Sequence, residues 1–268
     1  MMNEQLIKDL CERAKILRKH VITVAAAQTS HLGGSLSAAD LMAALYFYYL
    51  RLDEDEPSKD HFLFSKGHAV HILHACMVEK GKVDAAELPQ TGMSSSRLGG
   101  HPMLSTPGVE WGTGSLGHAL SVGVGIALGE RLNQSDSRTV VLMGDGEIQE
   151  GSVWEAALSA AKFGLENLIA IVDFNKFQAG GDIATVMPLN PLMEKWSAFQ
   201  WNVQEIDGHD MNAIVETLDA IPAKKGPTVI IAHTIKGKGV PGVEGTSRAH
   251  FINLTEGEAN AALSNLEV

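Results

Sequence analysis

The stretch Thr139-Val140-Val141-Leu142-Met143-Gly144-Asp145-Gly146-Glu147-Ile148-Gln149-Glu150-Gly151 decides the fold. Its first five residues form a short apolar run of the kind buried on both faces of a sheet, and Ser152 to Phe163 follow at helical spacing. An aspartate flanked by glycines stands between strand and helix. Such a turn lets the backbone approach a phosphate while the carboxylate points into the crevice at the strand end. In isolation it is equally an ordinary turn with Asp as the turn former. Working outward, similar runs occur at Leu168 to Val172 and Thr228 to Ala232, with a weaker one at Asn202 to Ile206. Helical spacing fills Pro191 to Phe199 and Asp210 to Ala220 between them, and upstream Asn3 to Gln28, Ser37 to Leu50, His68 to Lys80 and Leu116 to Leu132, with Gly-rich loops in the gaps. This alternation predicts an α/β fold: a parallel sheet covered by helices on both faces.

The 268 residues contain 45% hydrophobic and 20% charged residues, which suits a buried core and excludes disordered and collagen-like architectures. No linker or internal repeat divides them, so a single domain over 1–268 is expected, with an N-terminal helical segment and a tail after about residue 239 whose role the pattern leaves open. The net charge of −11 opposes nucleic acid and anionic membranes, leaving anions only a local, donor-rich pocket. Cys11 and Cys76, the only cysteines, fall in helical segments and supply neither a disulfide framework nor a zinc site. With no apolar core in the first residues, and Leu41 to Leu50 too short to span a bilayer, a reducing cytoplasm is the expected location.

The second strand runs into Val172-Asp173-Phe174-Asn175-Lys176-Phe177, which puts Asn175 30 residues after Asp145 and, if the strands are neighbours, at the same sheet edge. Mg²⁺ takes oxygen ligands in octahedral geometry and commonly combines one carboxylate with neutral oxygens, water and substrate phosphates. The Asp145 carboxylate, the Asn175 amide oxygen and a nearby main-chain carbonyl would leave positions open for a diphosphate.

These residues resemble the thiamine-diphosphate signature, and the chain from about His20 to Gly239 is similar to transketolases. Ser30-His31-Leu32-Gly33-Gly34-Ser35-Leu36-Ser37, Ser65-Lys66-Gly67-His68, Gly100-His101-Pro102, Gly112-Thr113-Gly114-Ser115-Leu116-Gly117 and Asp207-Gly208-His209-Asp210 occur in that family's order and spacing. The resemblance implies that Asp145, Asn175 and the main-chain oxygen of Phe177 hold Mg²⁺, for which Ca²⁺ or another divalent ion can substitute. It implies that Gly146 and His68 meet the diphosphate, that Gly114, Ser115 and Leu116 line the cofactor near its aminopyrimidine, and that Glu150 joins an acidic network linking two active sites. His31 and His101 would face the substrate as proton-transfer groups in the movement of a two-carbon ketol unit from a ketose, phosphorylated by expectation, to an aldose. Such chemistry belongs to carbohydrate metabolism of the pentose-phosphate kind.

Each histidine also has a plain structural reading, since a lone one among 11 is usually a surface or satisfied core residue. The family pattern reverses that for His31, His68 and His101, while His209 is expected to brace a loop. His68, His71 and His74 do not make a metal stripe, because helical residues three and six apart are rotated by about 300° and 240°. The Gly112 to Gly117 segment satisfies a dinucleotide pattern, but no convincing strand precedes it. The sequence departs from the family at Leu32, where proline is common, and at His118-Ala119, where Gln-Gly is common. Beyond Gly239, His250 is the candidate for a further family histidine. The resemblance covers only the first of three transketolase domains, and the 29 residues after Gly239 are too few for another. A separately encoded partner carrying the pyrimidine-binding domain is therefore expected, two copies of each chain per assembly, with no activity from this chain alone. The rivals are the α subunit of a thiamine-diphosphate-dependent 2-oxo-acid dehydrogenase and a non-catalytic cofactor-binding or regulatory module.

Overall fold

A computed structural model describes residues 4–52, 59–221 and 225–267. In chain order the elements are α1 (Glu4–Ala27), α2 (Leu32–Ser37), α3 (Ala39–Ala44), β1 (His61–Phe64), α4 (Val70–Glu79), α5 (Ala119–Leu132), β2 (Thr139–Gly144), α6 (Gly151–Phe163), β3 (Leu168–Phe174), β4 (Phe177–Gln178), β5 (Gly181–Asp182), α7 (Ile183–Val186), α8 (Leu192–Ala198), β6 (Asn202–Asp207), α9 (Met211–Ala220), β7 (Thr228–His233) and α10 (Glu256–Asn265). The main sheet is parallel throughout, in the order β1-β2-β3-β7-β6, and β4 and β5 form a small antiparallel hairpin.

Strand periodicity divides the core. Val140 and Leu142 of β2 join a cluster with Leu17, Val21, Met42, Leu73, Ile214 and Ala262, drawn from α1, α3, α4, α9 and α10. Val141 and Met143 point the other way, into a cluster with Leu120, Val153, Ala157 and Trp196 from α5, α6 and α8. Helices thus cover both faces, as expected. Every residue of β2 and β3 is buried, whereas β6, the weaker run, is a half-exposed edge strand. Local chemistry marks the helix ends. Asp210 caps α9 by accepting from Asn212 N at 2.9 Å, α6 stops at Gly164 with φ +59°, and Thr255 and Glu258 form a capping box on α10.

The four anticipated strands and most helices lie within a few residues of expectation. The differences have local causes. Asn3, the first residue of the expected N-terminal helix, lies outside the described residues. The segment expected as one helix from Ser37 to Leu50 is α3 followed by a wider π-type turn over Leu45–Tyr49. The helix expected from Leu116 starts at Ala119. Leu32–Ser37, expected as a Gly-rich loop, is helical, because its glycines are needed for contact with neighbours: a Cβ on Gly33 would lie 2.5 Å from Ala249 O. β1 has four residues and was not anticipated; it pairs with β2 from His61 opposite Thr139 to Phe64 opposite Leu142. The tail after Gly239 ends in α10, which packs on α1.

Candidate active site

Parallel register brings the carboxyl ends of the strands together. Gly144 lies opposite Asp173, and Asp173 opposite Ala232, so Asp145, Asn175 and the Thr234–Lys236 segment leave the sheet side by side, with Ser65 and Lys66 following β1. Ligands collect at such an edge in open α/β sheets. Here it opens into a cleft of about 390 Å³ lined by His31, His68, Gly114, Leu116, Asp145, Gly146, Glu150, Asn175 and Phe177, all singled out from the sequence, together with Lys66, Glu147, Gln149, Lys236 and His250. That is enough room for a cofactor-sized ligand.

The Asp145 carboxylate is 2% exposed; Oδ1 accepts from Gly146 N at 2.8 Å and Oδ2 from Lys176 N at 2.6 Å. The second bond ties the turn after β2 to the turn after β3, where Asn175 Oδ1 accepts from Phe177 N at 3.1 Å. Burial, and then the neighbouring Asp173 carboxylate, push the Asp145 pKa up to about 7. A buried anion this poorly compensated is where a cation would be stabilising. The donors are one carboxylate, one amide oxygen and the Phe177 carbonyl, an all-oxygen set that suits Mg²⁺. Among the described residues no three His, Cys, Asp or Glu side chains are grouped to hold an ion, so an ion held here would also take neutral oxygens.

Beneath this edge, Asp173 is fully buried. It accepts from Ser37 Oγ at 2.6 Å and from Lys66 Nζ and Thr234 Oγ1, and Lys66 Nζ also donates to Gly34 O at 2.7 Å. Burial raises its pKa, but Lys66, Ser37 and Thr234 together outweigh that and the net shift is downward.

Three imidazoles pack along one wall: His31 and His68 with centroids 5.4 Å apart, and His250 at 5.4 Å from His31 and 5.8 Å from His68. Burial holds His68 at a pKa of about 2 and His250 at about 4, with Lys66 and Lys236 respectively the next causes. His31 is also lowered, by burial and then by His101. The wall is therefore neutral near pH 7 and has proton-accepting nitrogens. His250, left open by the sequence, belongs to the cleft. His101 stands at its rim, its ring beside the backbone of Gly67 and Gly114, and Ser115 is exposed in the adjoining loop.

Lys236 and Glu147 were not anticipated. Lys236 Nζ donates to Phe177 O at 2.8 Å and lies 2.9 Å from His250 Nδ1; burial lowers its pKa to about 8. Its only signal in the sequence was its place before Gly237. Glu147 is 3% exposed, accepts from Gly117 N, Gly144 N and Ser65 Oγ, and has its pKa raised by burial. His209 braces a loop as expected: Nδ1 donates to Asp40 Oδ2 at 2.7 Å and Nε2 accepts from Ile235 N at 2.9 Å. His71 and His74 are buried in α4, and the Gly112 to Gly117 segment is an irregular loop with no strand before it.

The sequence profile of the transketolase thiamine diphosphate binding domain matches residues 9–267. Among curated proteins, the chain is 41% identical over 238 residues to an apulose-4-phosphate transketolase subunit of Phocaeicola vulgatus, covering 87% of this chain and 85% of that one. It is 38% identical to a 6-deoxy-6-sulfo-D-fructose transketolase subunit of Clostridium sp., covering 99% and 98%. Among solved structures, transketolase from Campylobacter jejuni superposes with a TM-score of 0.88 at 29% identity over 99% of this chain and 43% of that one. The Leishmania mexicana enzyme gives 0.88 at 26% over 97% and 41%. The chain thus spans about two fifths of the solved transketolases and most of the length of the subunits. With the cleft described above, these matches decide between the two enzymatic readings of the sequence: the chain belongs to the transketolase family and corresponds to its thiamine diphosphate binding domain.

Proposed function

We propose that this chain is the diphosphate-binding subunit of a split transketolase, which holds Mg²⁺ and thiamine diphosphate in the cleft and works with a separately encoded partner, two copies of each, in the cytoplasm. The observation that carries the reading is the convergence of Asp145, Asn175 and the Phe177 carbonyl with His31 and His68 in one cleft. A partner is supported by the length match to proteins named as subunits. A reducing compartment is supported by Cys11 and Cys76 being unpaired, and no helix among the described residues is long and apolar enough to cross a membrane.

Bound thiamine diphosphate supplies the carbanion and electron sink for ketol transfer. Asp145, Asn175 and Phe177 O would hold the divalent ion, and Gly146 would approach the diphosphate, with His68 bonded to it. With Lys236 bonded to Phe177 O, its ammonium adds positive charge beside the same position. Neutral His31 would accept a proton from a sugar hydroxyl and return it, and His101 at the rim would face the substrate as a second proton-transfer group. Glu150, exposed and lining the cleft, would join an acidic network linking the two active sites. The substrate is a ketose, phosphorylated in this reading, with an aldose acceptor, as in the pentose-phosphate class.

Asp145→Ala tests the site. Titration of the purified chain with thiamine diphosphate, with and without Mg²⁺, should show metal-dependent binding that the variant loses while keeping its thermal unfolding transition. Unchanged affinity in the variant would refute the assignment.

A further inference from the structure

The cleft has two sides that are not contiguous in the chain. One is the turn Gly144–Gly146 after β2, rich in N–H donors and carboxylate. The other is the loop from Thr113 to Gly117, which offers Gly114 and Leu116 to the cleft and leaves Gly114, Ser115 and Leu116 exposed. A single side chain joins them. Glu147 Oε1 accepts from Gly117 N at 3.0 Å and from Ser65 Oγ, while Oε2 accepts from Gly144 N at 3.1 Å. Three further bonds fix the loop: Gly117 O accepts from Ser152 Oγ at 2.9 Å, Thr113 Oγ1 donates to Phe64 O at 2.7 Å, and Thr113 N donates to Pro102 O at 3.2 Å. Gly117 itself admits no side chain, since its φ is +79° and a Cβ would lie 2.6 Å from Glu150 Cβ. Three exposed residues without regular structure are thereby held between two pinned ends.

We infer that Glu147 is a positioning residue that sets the distance between the two sides of the cleft, so that the loop meets the thiamine half of the cofactor while the turn meets its diphosphate. The inference rests on the cofactor reading above. In that reading the diphosphate goes to a divalent ion held at Asp145, and the ring end to the Gly114 and Leu116 surface. A carboxylate suits this work because both of its oxygens accept. The two N–H groups it joins are donors on opposite sides of the cleft, and leaving either without a partner in a buried place is costly.

Glutamine separates this role from simple packing. It has the same shape but one acceptor oxygen, so Glu147→Gln keeps one backbone link and turns an N–H against the other. Thr113→Val removes the side-chain bond to Phe64 O at the far end of the loop, leaving the backbone bond to Pro102 O, without touching Glu147. The full-length chain and both variants are titrated with Mg²⁺ plus inorganic diphosphate, and separately with Mg²⁺ plus thiamine diphosphate, with thermal unfolding as the check on folding. In both variants thiamine diphosphate affinity should fall about tenfold, the size of one to two lost hydrogen bonds, while affinity for inorganic diphosphate changes by less than about twofold. Equal loss for both probes, or no loss for either, overturns the inference. If Glu147→Gln does not fold, Thr113→Val decides by the same criterion. A wild-type chain that binds neither probe overturns the cofactor reading itself, which is a separate result.

Discussion

Replacing Gly33 by alanine sets two large effects against each other. Gly33 lies inside α2, where alanine is the better helix former by about 1 kcal/mol, so local propensity alone predicts a more stable protein. The surroundings predict the reverse. A Cβ there would sit 2.5 Å from Ala249 O, 2.7 Å from Lys236 Cγ and 2.8 Å from Ala249 Cβ, whereas carbon contacts are optimal at about 3.5–4.0 Å. Relief requires movement of about 1 Å, and the obstacle is held on several sides. Ser30 and Ile252 exchange backbone hydrogen bonds at 2.9 and 3.0 Å, Gly237 N donates to Gly33 O at 3.1 Å, and Lys236 is anchored on Phe177 O. Overpacking of a closed site costs about 1–3 kcal/mol, and contact with backbone places this one at the upper end. Net destabilisation of about 2 kcal/mol is expected, or roughly 4–8 °C in Tm at this chain length. The strain also reaches Lys236 and His250, so cofactor affinity should fall. Gly125→Ala in α5 is the control, because nothing lies within 4 Å of its Cβ and only propensity acts; it should stabilise by about 0.5–1 kcal/mol. Urea unfolding of both variants measures the difference. A Gly33→Ala chain as stable as wild type would refute the packing argument.

Two further outcomes follow from the site and its supports. With the partner present, His31→Ala and His101→Ala should lower kcat, by on the order of 10² for at least one of them, with little change in cofactor affinity, whereas His68→Ala weakens cofactor binding directly; kinetics and binding on the same preparations check this, and equal affinity losses in all three would refute the division. Asp40 accepts two bonds from Arg18 and one from His209. Although burial raises its pKa, Arg18 and then His209 bring it down to about 2, so its contribution is complete above the ordinary carboxylate pKa of about 3.9 and is lost as pH falls through about 2. That contribution is on the order of 2 kcal/mol, and Asp40→Asn, which leaves the buried Arg18 charge uncompensated, should cost about 3–5 kcal/mol near neutral pH and remove this acid-dependent part; urea titrations at about pH 7, 4 and 2 test it, and an unaltered pH dependence in the variant would count against the triad.

The strand-turn-helix at Thr139 to Phe163 was legible because three local signals agree: a doubly buried run, turn chemistry and helical spacing. The Asp145 to Asn175 pairing was legible because parallel neighbours that start in register, Thr139 opposite Leu168, bring their ends to the same edge. β1 was not, since four residues contain too little periodicity to separate a strand from an apolar loop. α2 was not, because two adjacent glycines argue against helix by propensity, and the contacts that require them lie far along the chain, at Ala249, over 200 residues away, for Gly33 and at His68 for Gly34. Lys66, Lys236 and Glu147 were passed over for a related reason. Charged residues are ordinarily solvated, and nothing local tells a buried lysine from an exposed one. Only the fold supplies Asp173 to the first, Phe177 O to the second, and Gly117 and Gly144 to the third.

In the proposed reading this chain grips the cofactor by its diphosphate end and depends on a partner for catalysis. The direct measurement is ketol transfer by the chain purified to homogeneity, supplied with Mg²⁺ and thiamine diphosphate and shown by mass spectrometry to be free of partner. Mg²⁺-dependent cofactor binding without turnover is expected, with turnover once the partner is added; substantial turnover by the chain alone would overturn the split-enzyme reading.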